Sequence, residues 1–305
     1  MQPYLIGQIA ALTTAGLWSI NSILFSLAGK KIGSISVNAY RIIMAVLFLS
    51  ISHFILFGTI YPSASYEQWF WIGLSGIIGL GVGDFGLFSA FVIIGPRRSV
   101  LIMALSPVFA AIIAFVLLNE IMSQFTLIGM MITLCGIVIV IMEKEERSYE
   151  EQLPNKIKVK GISFALIGAI GQGIGVVFAK KGMLFESSNS INPLSATLMR
   201  MILASIFIWI TVIIAGKLPE LKKAIKNRNG IKYTTVGAFI GPFLGVTFSM
   251  IAVTYTEIGV AQTLMSLMPV MIIPILWLIF KQKTSLRGIG GACIAIVGVA
   301  ILFLF

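Results

Sequence analysis

The sequence predicts an all-α membrane protein, with ten transmembrane helices arranged as two inverted five-helix repeats. Three observations lead there. Apolar runs of about 20 residues recur along the 305-residue chain, and that length lets an α-helix cross roughly 30 Å of hydrocarbon. Only 11% of residues are charged, against about 25% in a soluble domain, and the mean hydropathy is +1.02. One long polar break, EKEERSYEEQLPNKIKVK at 143–160, divides the runs into two groups of five. Five is odd, so the second group must enter the membrane from the opposite side. The expected organisation is a first five-helix repeat at 1–142, a charged linker at 143–160 and a second repeat at 161–305. The alternating pattern of barrel strands is absent.

The first run, about 5–28, starts without the basic region of a cleavable signal, and further spans follow it. Thr14, Trp18, Asn21 and Ser22 fall on one of its helical faces. That stripe suits the lining of an aqueous cavity and hydrogen bonding across helices equally. The second run, 34–57, carries Arg41 about seven residues in and the single histidine, His53, near its end. One histidine builds no metal site alone. The third run, 69–94, contains Asp84, the only aspartate of the chain. An ionisable side chain near a bilayer centre costs roughly 2.5–3.5 kcal/mol on insertion scales, so it faces protein or water. Asp84 can bind a substrate ammonium or take up a proton, which makes protons the candidate coupling ion. The structural alternative is capping by helix-terminal amides or pairing with a base.

A Gly95-Pro96-Arg97-Arg98 turn leads into the fourth run, 98–118, which contains Pro107. The fifth, 123–142, and the tenth, 284–305, hold Cys135 and Cys293, read as small packing residues. Gly136 and Gly298 mark these two runs as packing helices. The sixth run, 161–184, presents Gln172, Val176 and Lys180, with Lys180 read as an interface anchor. The seventh, 193–216, carries Arg200. The eighth, 231–256, has glycines at 237, 241 and 245, matching 79 and 83 in the third, and such spacing favours close helix packing. In the ninth, 259–280, Gln262, Met265, Ser266 and Pro269 share a face, as Met103, Ala104 and Pro107 do in the fourth. Such a face suits a cavity of mixed polarity or a packed interior. Pro107 and Pro269 each free a backbone carbonyl within a helix and are natural flexing points or static bends.

The two groups of runs repeat each other. A shift of 159 residues places Gly16 on Gly175, Arg41 on Arg200 and Asn21 on Lys180. From the third run onward a shift of 162 pairs Gly79 with Gly241, Gly83 with Gly245 and Pro107 with Pro269. Asp84 has no acidic counterpart, because Val246 stands there. By inverted symmetry Arg41 and Arg200 lie toward opposite membrane faces and do not meet. Each could hold a substrate carboxylate, pair with an acid, close a gate or snorkel to the interface. Inverted repeats are the arrangement in which many transporters place a substrate site between the halves.

Almost all of the 22 basic residues lie in loops on the side of the 143–160 linker. The positive-inside rule makes that side cytoplasmic and puts both termini outside. The net charge of +11 is then topogenic and faces lipid, so no nucleic-acid partner is expected. A plasma membrane location, bacterial inner membrane, follows.

These residues resemble the EamA-type transporters of the drug/metabolite transporter superfamily over nearly the whole chain. The resemblance is carried by Trp18-Ser19-Ile20-Asn21, like the family's W-x-x-N, and by Arg41 and Arg200. It is also carried by Ile94-Gly95-Pro96-Arg97-Arg98, by Leu105-Ser106-Pro107-Val108 with its repeat Leu267-Met268-Pro269-Val270, and by Asn119-Glu120. Two features depart from the pattern. Lys281-Gln282 stands where the family often repeats Gly-Glu, and the charge bias places the termini outside where the family more often has them inside. The resemblance implies movement of small metabolites, commonly amino acids or related polar and amphipathic compounds, by alternating access.

The residues argue against an enzyme. Intramembrane hydrolysis or prenyl transfer needs clustered acids, a histidine pair or a metal site, and one aspartate with one histidine supplies none. No Walker A pattern is present, and no cofactor or metal is expected. A flippase for a lipid-linked headgroup is the nearer alternative. A non-transporting sensor or scaffold fits poorly with paired prolines and an embedded carboxylate.

Overall fold

Length, composition and capping residues together set the helices. The computed structural model describes residues 3–142, 154–185, 190–280 and 285–304. Ten of its helices are long and apolar enough to cross a membrane. They are α1 (Pro3–Ile32), α2 (Ser34–Phe57), α3 (Tyr66–Ile94), α4 (Arg98–Leu118), α5 (Gln124–Ile141), α6 (Asn155–Met183), α7 (Pro193–Ile214), α8 (Arg228–Tyr255), α9 (Ile258–Ile275) and α10 (Leu286–Leu304). Among the described residues there are no strands. The chain is a multi-pass integral membrane protein. Most of the expected 143–160 linker, and Lys281-Gln282, lie outside the described residues.

Several helices outrun the apolar stretches that predict them. α1 continues through Lys30 and Lys31, and α6 begins ahead of Lys156. Lysine is a good helix former, so helical hydrogen bonding continues where the apolar run stops. Polar caps fix other ends. Ser65 and Gln68 form a reciprocal capping box at the start of α3. Ser123 caps α5 through the Thr126 amide. Asn192 accepts from the Leu194 amide just ahead of Pro193.

Helical hydrogen bonding runs from Asp84 to Met103, yet Leu87 and Met103 both approach Gly168. On a straight helix those residues would stand about 24 Å apart. The chain from Leu87 to Met103 is therefore not one straight helix, and α3 and α4 both pack on α6 at Gly168.

The prolines sit differently from the expectation. Pro107 and Pro269 do not interrupt a continuous helical ladder, because α4 and α9 are each broken and the proline lies in the first turn of the second segment, Ser106–Leu118 and Met268–Phe280. The breaks come just upstream, at Ala104-Leu105 and Ser266-Leu267, where i−3 bonds tighten the backbone (Leu105 N to Ile102 O, 3.0 Å; Leu267 N to Leu264 O, 3.2 Å). A proline in a first turn loses no hydrogen bond.

Two long seams organise the bundle. In one, α6 runs antiparallel to α3, with Gly161 against Ile94, Gly171 against Gly83, Gly175 against Gly79 and Gly182 against Ile72. In the other, α1 runs antiparallel to α8, with Gly7 against Tyr255, Trp18 against Gly245, Asn21 against Gly241 and Ile32 against Gly230. Both seams centre on wide π-helical turns, Gly76–Gly83 and Phe239–Gly245. Glycine permits such turns, and Pro242 in the second withholds an amide and releases a carbonyl. A third antiparallel contact joins α5 to α10. There Gly136 meets Gly291 and Ala295, and Gly298 meets Thr133, as expected of packing helices. Cys135 and Cys293 are exposed on these helices rather than packed. The glycine seam takes the inner face and leaves the thiols on the outer one.

Candidate functional site

Asp84 follows directly on the first π-helical turn. It is 6% exposed, and both of its oxygens are engaged. Arg41 on α2 forms an ion pair with Oδ2, while Gln172 Nε2 on α6 donates to Oδ1 at 2.9 Å and to the Gly79 carbonyl at 3.2 Å. Arg41 is fixed in turn. Its Nε donates to Asn38 Oδ1 at 2.9 Å, and the rings of Phe25 and Phe88 lie 5.6 and 5.4 Å from its guanidinium. The snorkelling read from sequence for Arg41 is thus corrected. A buried carboxylate left alone costs several kcal/mol, and this pairing outweighs the pull of the interface.

Arg200 on α7 and Arg41 are not held toward opposite membrane faces, because the charges of both act on Asp84, and Arg200 too does not snorkel. It is 2% exposed. Its Nη1 donates to Met250 Sδ at 3.3 Å, a weak acceptor, and its Nε has no partner. Among the described residues no carboxylate lies within ion-pair distance of it. Its Nη2 points toward Gly79, whose carbonyl accepts from Gln172, and its charge acts on Asp84. Two guanidiniums and one carboxylate give this buried cluster a net positive charge.

The stripe on α1 lies along the second seam. Thr14 donates to the Ala10 carbonyl and, at 3.3 Å, to the Gly245 carbonyl. Thr14 thus serves a carbonyl in its π-helical turn, as Gln172 does at Gly79 in the other. Trp18 is half-buried against Gly245 and Asn21 is buried against Gly241. Asn21 Oδ1 has no partner. Ser22 donates back to the Ser19 carbonyl at 2.7 Å.

Lys180 is not an interface anchor. It is 7% exposed, pairs with Glu120 at the end of α4 at 2.6 Å, and donates to the Thr256 carbonyl at 2.8 Å. Glu120 also accepts from the Ile258 amide at the start of α9 at 2.9 Å. This second ion pair ties α4, α6 and the α8–α9 connection at the end of the bundle farther from Asp84. Gln262 is buried on α9, and the Ser266 hydroxyl donates to its carbonyl at 2.8 Å. Neither residue joins the Asp84 cluster. His53 is buried between Thr59 and Ser195 Oγ and holds α2 to the start of α7.

Sequence reasoning named Asp84, Arg41 and Gln172 without joining them, and it missed the Glu120–Lys180 pair. One signal could have found both. Few bases are embedded in these spans, so each embedded acid must draw on that short set. The π-helical turns left no signal beyond clustered glycines.

A crystal structure known only as that of a protein superposes on this chain with a TM-score of 0.74 at 15% identity, covering 98% of each chain. At that identity it speaks for the fold alone. No curated protein sequence matches. The profile of the EamA-like transporter family matches residues 5–142 and again 159–304. Ten spans, two matched segments and a buried charged cluster between them agree, and the chain belongs to the EamA-like transporter family of the drug/metabolite transporter superfamily.

Proposed function

We propose that this membrane transporter is a secondary carrier of small polar or amphipathic metabolites, amino acids or related compounds, with export the favoured direction. It works by alternating access between two inverted five-helix halves, 1–142 and 161–305. The observation that carries the reading is the uncompensated charge beside Asp84. A buried guanidinium without an acid partner is costly, and a substrate carboxylate would supply that partner at Arg200. Asp84, released from Arg41, would take a substrate ammonium or a proton. Gln172 would keep the carboxylate oriented from the other half.

The inverted relation of the halves is supported by the two antiparallel seams, the two π-helical turns and the two breaks ahead of prolines. The seam contacts favour a register of α1 on α6 in which Trp18 corresponds to Gly171 or Gln172 and Asn21 to Gly175, rather than the pairing of Asn21 with Lys180. In this reading the 143–160 linker is cytoplasmic, the termini are outside, and the membrane is the bacterial inner membrane.

The test is purified protein in liposomes offered labelled amino acids and related solutes. Saturable flux that Asp84→Asn abolishes or uncouples, with the variant as abundant and folded as the parent, supports the proposal. Unchanged flux in Asp84→Asn removes the assigned role of Asp84. Lipid translocation without solute flux points to a flippase.

A further inference from the structure

The linker face holds a cleft unrelated to the Asp84 cluster. α7 ends at Ile214, and Gly216 takes a left-handed φ of 67°, a backbone that side chains other than glycine rarely adopt. This lets Lys217 N return to the Val212 carbonyl at 3.0 Å. The chain then runs across the end of the bundle as a short helix, Leu218–Ala224. It is pinned by buried Leu221 and Ala224 and by Tyr40 Oη, which donates to the Leu221 carbonyl at 2.9 Å. Between this helix, the end of α1 and the start of α8 lies a cleft of about 810 Å³.

Lys31, Lys223, Lys226 and Arg228 line the cleft, together with Asn227 and one acid, Glu220. That acid is taken by Lys217 at 2.5 Å. Among the described residues none of the four lining cations has a carboxylate partner. On the same connection Ile214, Leu218 and Ile225 are exposed at 81%, 36% and 59%, and Ile225 stands in sequence between Ala224 and Lys226, which both line the cleft. Cations converging on a cleft, with bare aliphatic side chains on the same connection, fit an amphipathic anion at headgroup depth. A soluble polyanion would gain nothing from those aliphatic side chains.

We propose that this cleft binds the phosphodiester headgroup of an anionic phospholipid, with Lys31, Lys223, Lys226 and Arg228 on the phosphate and the acyl chains along Ile214, Leu218 and Ile225. The site is independent of what the protein carries. It docks the α7–α8 connection and the end of α1 onto the same lipid.

The experiment uses the full-length protein in neutral detergent, titrated with phosphatidylglycerol, phosphatidylcholine or inorganic phosphate, and reads retained lipid by native mass spectrometry and stability by thermal unfolding. Phosphatidylglycerol is expected to be retained and to raise the melting temperature, whereas phosphatidylcholine does neither. Lys223→Gln, Lys226→Gln and Arg228→Gln should each weaken retention about fivefold. These residues are exposed, so the variants are expected to fold. The control Lys30→Gln/Lys232→Gln removes two exposed cations of the same face that do not line the cleft, and it should retain lipid like the parent. Equal loss in the control overturns the proposal in favour of diffuse attraction. Stabilisation by inorganic phosphate equal to that by phosphatidylglycerol, without retained lipid, overturns it in favour of a free-anion site, and no preference between the two lipids overturns it outright.

Discussion

The α3/α6 and α8/α1 seams run in the same antiparallel sense through the same kind of π-helical turn, yet they are filled in opposite ways. Along the first, Gly79, Gly83 and Gly86 face Gly175, Gly171 and Gly168, backbone against backbone. Along the second, Gly237, Gly241 and Gly245 face Phe25, Asn21 and Trp18, side chains set into a glycine groove. At these central contacts the nearest atoms are mostly backbone, which cannot turn aside to absorb a change, although Ile94 and Ile72 pack by their side chains toward the seam's two ends. The second is filled at its centre by rotatable groups, with backbone contact at Gly7 near its end. The charge follows this division, because Gln172 reaches Asp84 only where the α6 backbone comes this close, whereas the position matching Asp84 on α8 is Val246. A backbone-to-backbone seam holds the ionised site in place, and a side-chain seam leaves its counterpart adjustable.

The largest expected effect breaks the charged side of this comparison. Arg41→Gln leaves Asp84 buried without its cation, and losing one partner of a buried pair costs about 3–5 kcal/mol. Folded yield and thermal unfolding should both fall, and adding Asp84→Asn should restore much of the loss. Stability equal to the parent would mean that Gln172 alone suffices for the carboxylate.

Next comes a methyl group placed in the rigid seam. A Cβ at Gly175 would lie 2.8 Å from Gly79 Cα and 3.1 Å from the Ser75 carbonyl oxygen. Both are backbone atoms, so the helices must separate. Gly175→Ala should cost about 1–3 kcal/mol as overpacking, and no side-chain substitution on α3 should rescue it. Rescue by any such second substitution would show that the seam is less rigid than its geometry implies.

Much of this architecture could be read in advance, and what could not has physical reasons. Ten spans followed from hydropathy because the bilayer demands apolar length. Gly136 and Gly298 marked α5 and α10 as packing helices, though not as each other's partners. Asp84 was recognisable as an embedded acid, but its partner was not, because Arg41 lies 43 residues away and pairing across helices depends on rotation about their axes. Lys180 misled for a related reason. Its place near a helix end suits an anchor, and only the approach of Glu120 from α4 turns it inward. Pro107 and Pro269 signalled irregular backbone without saying that the break precedes them.

In the adjustable seam a methyl group should cost less and be rescuable. A Cβ at Gly245 would meet Trp18 Nε1 at 2.7 Å and Cδ1 at 2.8 Å, both side-chain atoms. Gly245→Ala should destabilise by about 1 kcal/mol, the low end of overpacking. With Trp18→Leu the double variant should be more stable than the two single effects sum to, a coupling of about 0.5–3 kcal/mol. Additivity would mean that Trp18 already has room to turn aside, and that this seam is looser still.

The smallest stability effect belongs to the variant that makes the two halves alike. Asp84→Val with Arg41→Met copies the Val246 of the second half and removes both partners of the buried pair together. Replacing such a pair with apolar side chains is often close to neutral, and Gln172 keeps its bond to the Gly79 carbonyl. Thermal unfolding should therefore stay within about 1 kcal/mol of the parent, while solute flux in liposomes should vanish. If the variant is stable and still transports, the asymmetry between the seams concerns packing alone and the carrier must act through Arg200. If it unfolds, the ion pair holds the α2–α3 contact, and Asp84 is a structural residue first.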